Sequence, residues 1–180
     1  MRSSPLSAFA ATAACLVACT IPPSNAMIGG DSAIPLLLPS ESVADWQPVA
    51  DYLDHRCGAL DCHGDLQRNL VIWGCNGLRF SPTDVPGCRT GPNAPNTTSD
   101  EYDATYRSLV GLEPLVMSQV LTGGGQEPDL LTFVRKARGE ENHKGGALIV
   151  PGDAQDICIT SWLAGSTNAT ACTQAIDTTP

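Results

Sequence analysis

Residues 55–65 read HRCGALDCHGD, and how this stretch is understood decides how the rest of the chain folds around it. Cys57 and Cys62 enclose four residues, and His63 follows the second cysteine directly. A thiol pair with a histidine beside it is the arrangement that attaches a c-type haem. The thiols form thioethers with the two vinyl groups, and the imidazole supplies an axial nitrogen to iron. The usual spacing leaves two residues between the cysteines, so Gly58, Ala59, Leu60 and Asp61 must partly loop out. Two other readings use the same atoms. Cys57 and Cys62 can close a tight disulfide with His63 incidental to it, or all three side chains can ligate zinc. In an oxidising compartment a free thiolate pair tends towards the disulfide, which disfavours zinc.

The compartment is read from the N-terminus, MRSSPLSAFAATAACLVACT. One cation, Arg2, precedes a run of small and apolar residues that is too short and too rich in Ala and Ser for a spanning helix of about twenty apolar residues. The pattern is that of an export signal. Leu16-Val17-Ala18-Cys19 matches a bacterial lipobox, so residues 1–18 are expected to leave and Cys19 to carry the lipid. The competing reading is an ordinary secretory signal cut near Ala26; both export the chain. Residues 19–42 then form a tether rich in Gly, Pro and Ser, with PLLLP as a packing strap rather than a membrane element.

Loss of Arg2 leaves nine Lys and Arg against nineteen Asp and Glu, a formal charge of −10. Such a surface repels nucleic acid and anionic lipid head groups and suits a basic redox partner. No Gly-x-Ser-x-Gly elbow is present, and Gly123 to Gly125 lack the Gly-Lys-Ser/Thr of a phosphate loop. The chain therefore reads as an electron carrier or a binding protein rather than a catalyst.

Six cysteines remain beyond the signal and the lipobox Cys19, an even number suited to an oxidised framework. Cys75 and Cys88 bracket a turn-rich loop, and Cys158 and Cys172 bracket the end and exit of a helix. Each such bridge stabilises the chain by about 3 kcal/mol on the chain-entropy view.

Helical periodicity supplies the remaining elements. Ser42 with Asp45 reads as an N-cap, followed by Val43, Trp46, Val49, Ala50 and Leu53 at helical spacing. This helix delivers the chain to Cys57. Residues 81–100 form a long loop, after which Ser99 or Asp100 caps a helix carrying Tyr102, Tyr106, Leu109 and Val110. Pro114 opens another, with Leu115, Val116, Val120 and Leu121 on its apolar face. Residues 128–136 (PDLLTFVRK) fit helix or strand. Asp153 caps a last helix containing Ile157, Trp162 and Leu163, stopped by Gly165. No alternating strand series is present, so the expected fold is mainly α, with long disulfide-stapled loops.

A haem iron needs a second axial ligand or an open position. Met117 sits among apolar helical neighbours and reads chiefly as core. His55 is too near Cys57 to reach the opposite face. His143 lies in a polar, Gly-rich loop, GEENHKGG, where it is either a pocket residue or simply solvated; Gly145 and Gly146 allow backbone to approach a flat macrocycle. Trp46, Trp73 and Trp162 are candidates for apolar walls and equally for plain core.

The order of these features resembles a cytochrome-c-like domain of the planctomycete type. The resemblance rests on Cys57-x4-Cys62-His63-Gly64, then Gly77-Leu78-Arg79-Phe80, Tyr102 with Asp103, Arg135 to Gly139, His143-x-Gly145-Gly146 and Trp162-Leu163-Ala164-Gly165, over roughly residues 45–166. Lys144 replaces a glycine of the family pattern, and Cys75, Cys88, Cys158 and Cys172 are additions to it. The resemblance implies a cytochrome-c-like domain over residues 43–172 with a tail over 173–180. It implies covalent haem c at Cys57 and Cys62, His63 as proximal ligand, His143 ahead of Met117 as distal ligand, and electron transfer with partner proteins at the cell envelope. The alternative is a haem-free, disulfide-stapled lipoprotein acting as a binding or assembly module.

Overall fold

The computed structural model describes residues 35–81 and 96–178. The chain divides into one unit ending at Pro35 and a second from Leu36 onward, and the described residues of the second form a helical domain. Cys19, Cys88 and the signal segment lie outside the described residues.

Helix α1 spans Val43–Cys57 and is capped by Ser42, whose Oγ accepts from the Asp45 amide while donating to the Asp45 carboxylate. Its apolar residues recur every three or four positions, so Trp46, Val49, Ala50 and Leu53 enter the core on one face. Helix α2, Ser99–Val110, is capped by Thr98 rather than by Ser99 or Asp100. The reason is Glu101, whose side chain accepts from the Thr98 amide while Thr98 Oγ1 accepts from the Glu101 amide, a complete capping box. Helix α3, Pro114–Thr122, starts on its proline as its sequence predicts.

The apolar run 128–136 resolves as a 3-10 turn, Pro128–Leu130, leading into helix α4, Thr132–Arg138. Helix α5, Ala154–Leu163, is capped by Asp153 and is followed by α6, Ala169–Asp177, which the helical pattern did not announce. The disulfide Cys158–Cys172 joins these two helices. Cys75 is also disulfide-bonded. Among the described residues there is no strand, only an isolated bridge between Trp73 and Leu78. No described helix is long and apolar enough to cross a membrane.

Helices α1, α5 and α6 pack on one another, and α2 packs on α1. At their centre Trp46 and Trp162 lie with ring centroids 5.0 Å apart, and Tyr106 meets the Trp46 ring edge-on at 5.4 Å. Aromatic pairs prefer such tilted and edge contacts to a flat sandwich. The polar tips of these rings are satisfied by the segment before α1: Tyr106 Oη donates to the Pro39 carbonyl and Trp162 Nε1 to the Ser40 carbonyl. Residues 36–41 thus act as a strap across the core, with Leu36, Leu37 and Leu38 half exposed. The last helix likewise carries Ala175 into the core beyond Cys172.

Candidate functional site

A cavity of about 470 Å³ opens between the end of α1, the 63–70 segment, α4 and the 142–149 loop. That volume lies in the range of about 300–1,000 Å³ typical of small-molecule and cofactor sites. Its walls are largely apolar: Tyr52, Leu53, Leu70, Leu112, Phe133, Leu148, Ile149 and Ile159. Cys57, His63 and His143 line it, together with three cations, Arg68, Lys136 and Lys144. The carboxylate that also faces it, Glu113, already accepts from the amide and hydroxyl of Thr132. Lys136 pairs with Glu141 at 3.0 Å and Arg68 lies 3.9 Å from Asp65, so the charges of these two cations are largely balanced.

The four-residue spacer adopts a turn. The Cys62 and Gly64 amides both donate to the Ala59 carbonyl, and the His63 amide donates to the carbonyl of Cys57. Residues 59–62 consequently project into solvent, and His63 returns beside Cys57. The turn is compact because glycines meet in it. A Cβ on either Gly64 or Gly77 would land on the Gly58 carbonyl oxygen. Cys57 and Cys62 are both unbonded. Burial pushes the Cys57 thiol up to about 12, outweighing the pull of the Arg56 charge, so it is protonated at neutral pH.

His63 is half-buried and its Nδ1 lies 3.0 Å from the Leu70 carbonyl oxygen. His143 Nδ1 lies 3.2 Å from the Gly146 carbonyl oxygen. A carbonyl only accepts, so each contact assigns the proton to Nδ1 and leaves Nε2 as the open lone pair. Metal-ligating histidines are commonly oriented in this way. The two rings face the same cavity with centroids 6.1 Å apart and planes 19° from parallel. Burial lowers the His63 pKa, the Leu70 contact notwithstanding, and the neighbouring His143 and Arg68 act in the same direction. The neutral imidazole, the form that ligates, is therefore favoured.

Among the described residues, no group of three or more His, Cys, Asp or Glu is arranged to hold a metal ion. The zinc triad of Cys57, Cys62 and His63 is accordingly not assembled. Cys57, His63 and His143 around one apolar cavity are residue types that would hold a haem, while Cys62 is exposed and does not line that cavity.

The remaining candidates fall elsewhere. Met117 is 1 % exposed within the core and does not line the cavity. His55 lines a separate polar cleft with Asp51, Asp54 and Asn76. Trp46 and Trp162 are core, and Trp73 packs against Phe80 at 5.6 Å; none of the three walls the cavity. The walls come instead from Tyr52, Phe133, Leu148 and Ile149, which local patterning marks only as apolar. No protein-family model, no curated protein and no solved structure shows a significant match to this chain.

Proposed function

We propose that this protein is an exported, membrane-anchored c-type cytochrome-like lipoprotein that binds one haem and carries electrons at the cell envelope. The observation that carries this reading is that Cys57, His63 and His143 line one apolar cavity, the two rings with centroids 6.1 Å apart and each Nδ1 at a backbone carbonyl. Cys57 and Cys62 would hold the haem through thioethers, and the two histidines would take its axial positions. When bound, the haem supplies a centre that accepts and releases one electron. The chain's own residues do the rest. Leu70 and Gly146 orient the imidazoles, Phe133, Leu148 and Ile149 would exclude water, and Lys144 would meet an acidic edge of the group. Histidine on both sides gives a lower potential than a His/Met pair. Cys19 would carry the lipid that keeps the domain at the membrane, and the acidic surface suits a basic redox partner.

The reading is tested by expressing the full chain with its signal in a host that matures c-type cytochromes. The expected result is a mass increase of roughly 600 Da with a c-type pyridine haemochrome band near 550 nm, lost when Cys57 and Cys62 are both changed to Ala. A protein without haem, from a host that matures a control Cys-x4-Cys-His cytochrome, would favour the haem-free, disulfide-stapled binding module.

A further inference from the structure

The two histidines that face each other are not held alike. His63 sits inside a network: its amide donates to Cys57, its carbonyl accepts from Ile72 at 2.8 Å, and its ring is tied to Leu70 seven residues away. The segment it stands in is locked further by Gly64, whose amide donates to Ala59 and which has no space for a side chain. His143 sits at the tip of a loop between Gly139 and Gly146, both at φ +75°. Its ring contact is to Gly146, within the same loop, and the Gly146 amide returns to the His143 carbonyl. The tip is therefore closed on itself by its own hydrogen bonds.

Apart from the contact of the His143 ring with His63, what ties this loop to the domain is at the surface or at its base. Lys136 Nζ donates to the Asn142 carbonyl, and Glu141 pairs with Arg135 and Lys136, all with side chains about a third exposed. Exposed ion pairs of this kind restrain a loop only weakly. At the base, the Leu148 and Ile149 amides donate to the Ala137 carbonyl, and Gly139 packs directly on Ala147. The base is fixed while the tip is exposed from Lys144 to Ala147, and a Cβ on Gly146 would meet open space.

We propose that His143 is an exchangeable ligand: the Gly139–Gly146 loop swings it away from His63 and opens that side of the cavity to a small diatomic π-acceptor. This rests on the haem reading above. The exchange breaks the bond between iron and His143 Nε2 and forms one to the incoming diatomic, with no electron or proton transferred. The opened side is lined by Asn142, Lys144 and Phe133, polar at the mouth and apolar within. The protein then has a second capability beside electron transfer, the reversible binding of a small gas-like ligand.

Carbon monoxide is the probe, mixed with the reduced, haem-loaded full chain and followed by absorbance. In the unsubstituted protein the binding rate should level off as carbon monoxide rises, because release of His143 becomes limiting. In His143→Ala it should stay proportional to carbon monoxide and exceed the unsubstituted rate by about tenfold or more, the penalty for a sparsely populated open state. A haem-loaded protein that remains silent to saturating carbon monoxide for hours, while His143→Ala binds at once, overturns the inference and leaves the haem reading standing. Absence of covalent haem in both proteins overturns the reading and the inference together. Hydrogen exchange on the haem-free chain adds a readout independent of iron. Amides of residues 140–147 should exchange far faster than those of residues 62–72, and equal protection of the two segments would contradict a swinging loop.

Discussion

Glu101 is 1 % exposed and remains a carboxylate because donors surround it. Burial alone would raise its pKa. The Arg79 guanidinium at 2.7 Å and the Thr98 and Phe80 amides outweigh that and hold it below the ordinary 4.5. A carboxyl whose pKa is lower in the folded state contributes stability that is complete above 4.5 and lost as pH falls through the folded value. Glu101→Gln should therefore cost about 1.5–3 kcal/mol near neutrality, since the Arg79 guanidinium and the Thr98 and Phe80 amides lose a charged acceptor. It should also flatten the loss of stability in acid, which urea unfolding at pH 7 and pH 4 would measure. Met117 makes a different prediction. Met117→Ala should cost about 2–5 kcal/mol through the cavity it leaves, yet leave the absorption spectrum of the loaded protein unchanged. A shifted spectrum would make Met117 a ligand after all. Of these residues, the capping role of Glu101 was hidden in the sequence because Thr98, Ser99 and Asp100 are all competent caps. Only the reciprocal bond from Glu101 selects Thr98.

At the scale of elements, the turn at 57–64 depends on glycines that bring backbone against backbone. Gly77→Ala would push its Cβ onto the Gly58 carbonyl, so the turn must open. We expect a cost of about 1–3 kcal/mol and a several-fold fall in the yield of haem-loaded protein, measured by haemochrome per mole of purified chain. The α5–α6 pair is fixed by Cys158–Cys172, closing 14 residues of sequence separation. Replacing both with Ala should lower stability by about 3 kcal/mol with haem attachment retained, read from the denaturation midpoint. The existence of α1, α3 and α5 was legible from caps, prolines and apolar spacing, because those signals are local. Helix α6 was not, since ATACTQAID is short and its apolar residues, Ala171, Cys172 and Ala175, are small. It is held by packing on α1 and α5 and by the disulfide, which lie far away in sequence.

At the scale of the whole molecule, the domain brings together residues that no local pattern connects. His63 and His143 are eighty positions apart, and their meeting depends on α4 and on the base of the 139–148 loop. The order of motifs implied His143 as the partner of His63, whereas local composition left it open between a pocket residue and a solvated loop residue. The aromatic walls expected from the three tryptophans failed for a related reason. Size and apolarity identify a buried residue without saying which side of a helix bundle it faces, and here Trp162 bonds the strap while Trp46 bonds the Tyr102 carbonyl. The measurement that tests the central claim most directly is the ferric electron paramagnetic resonance spectrum of the haem-loaded full chain beside that of His143→Ala. The bis-histidine account predicts a low-spin signal that becomes high-spin when His143 is removed, with the haem still covalently attached. A low-spin signal unchanged by His143→Ala would contradict it.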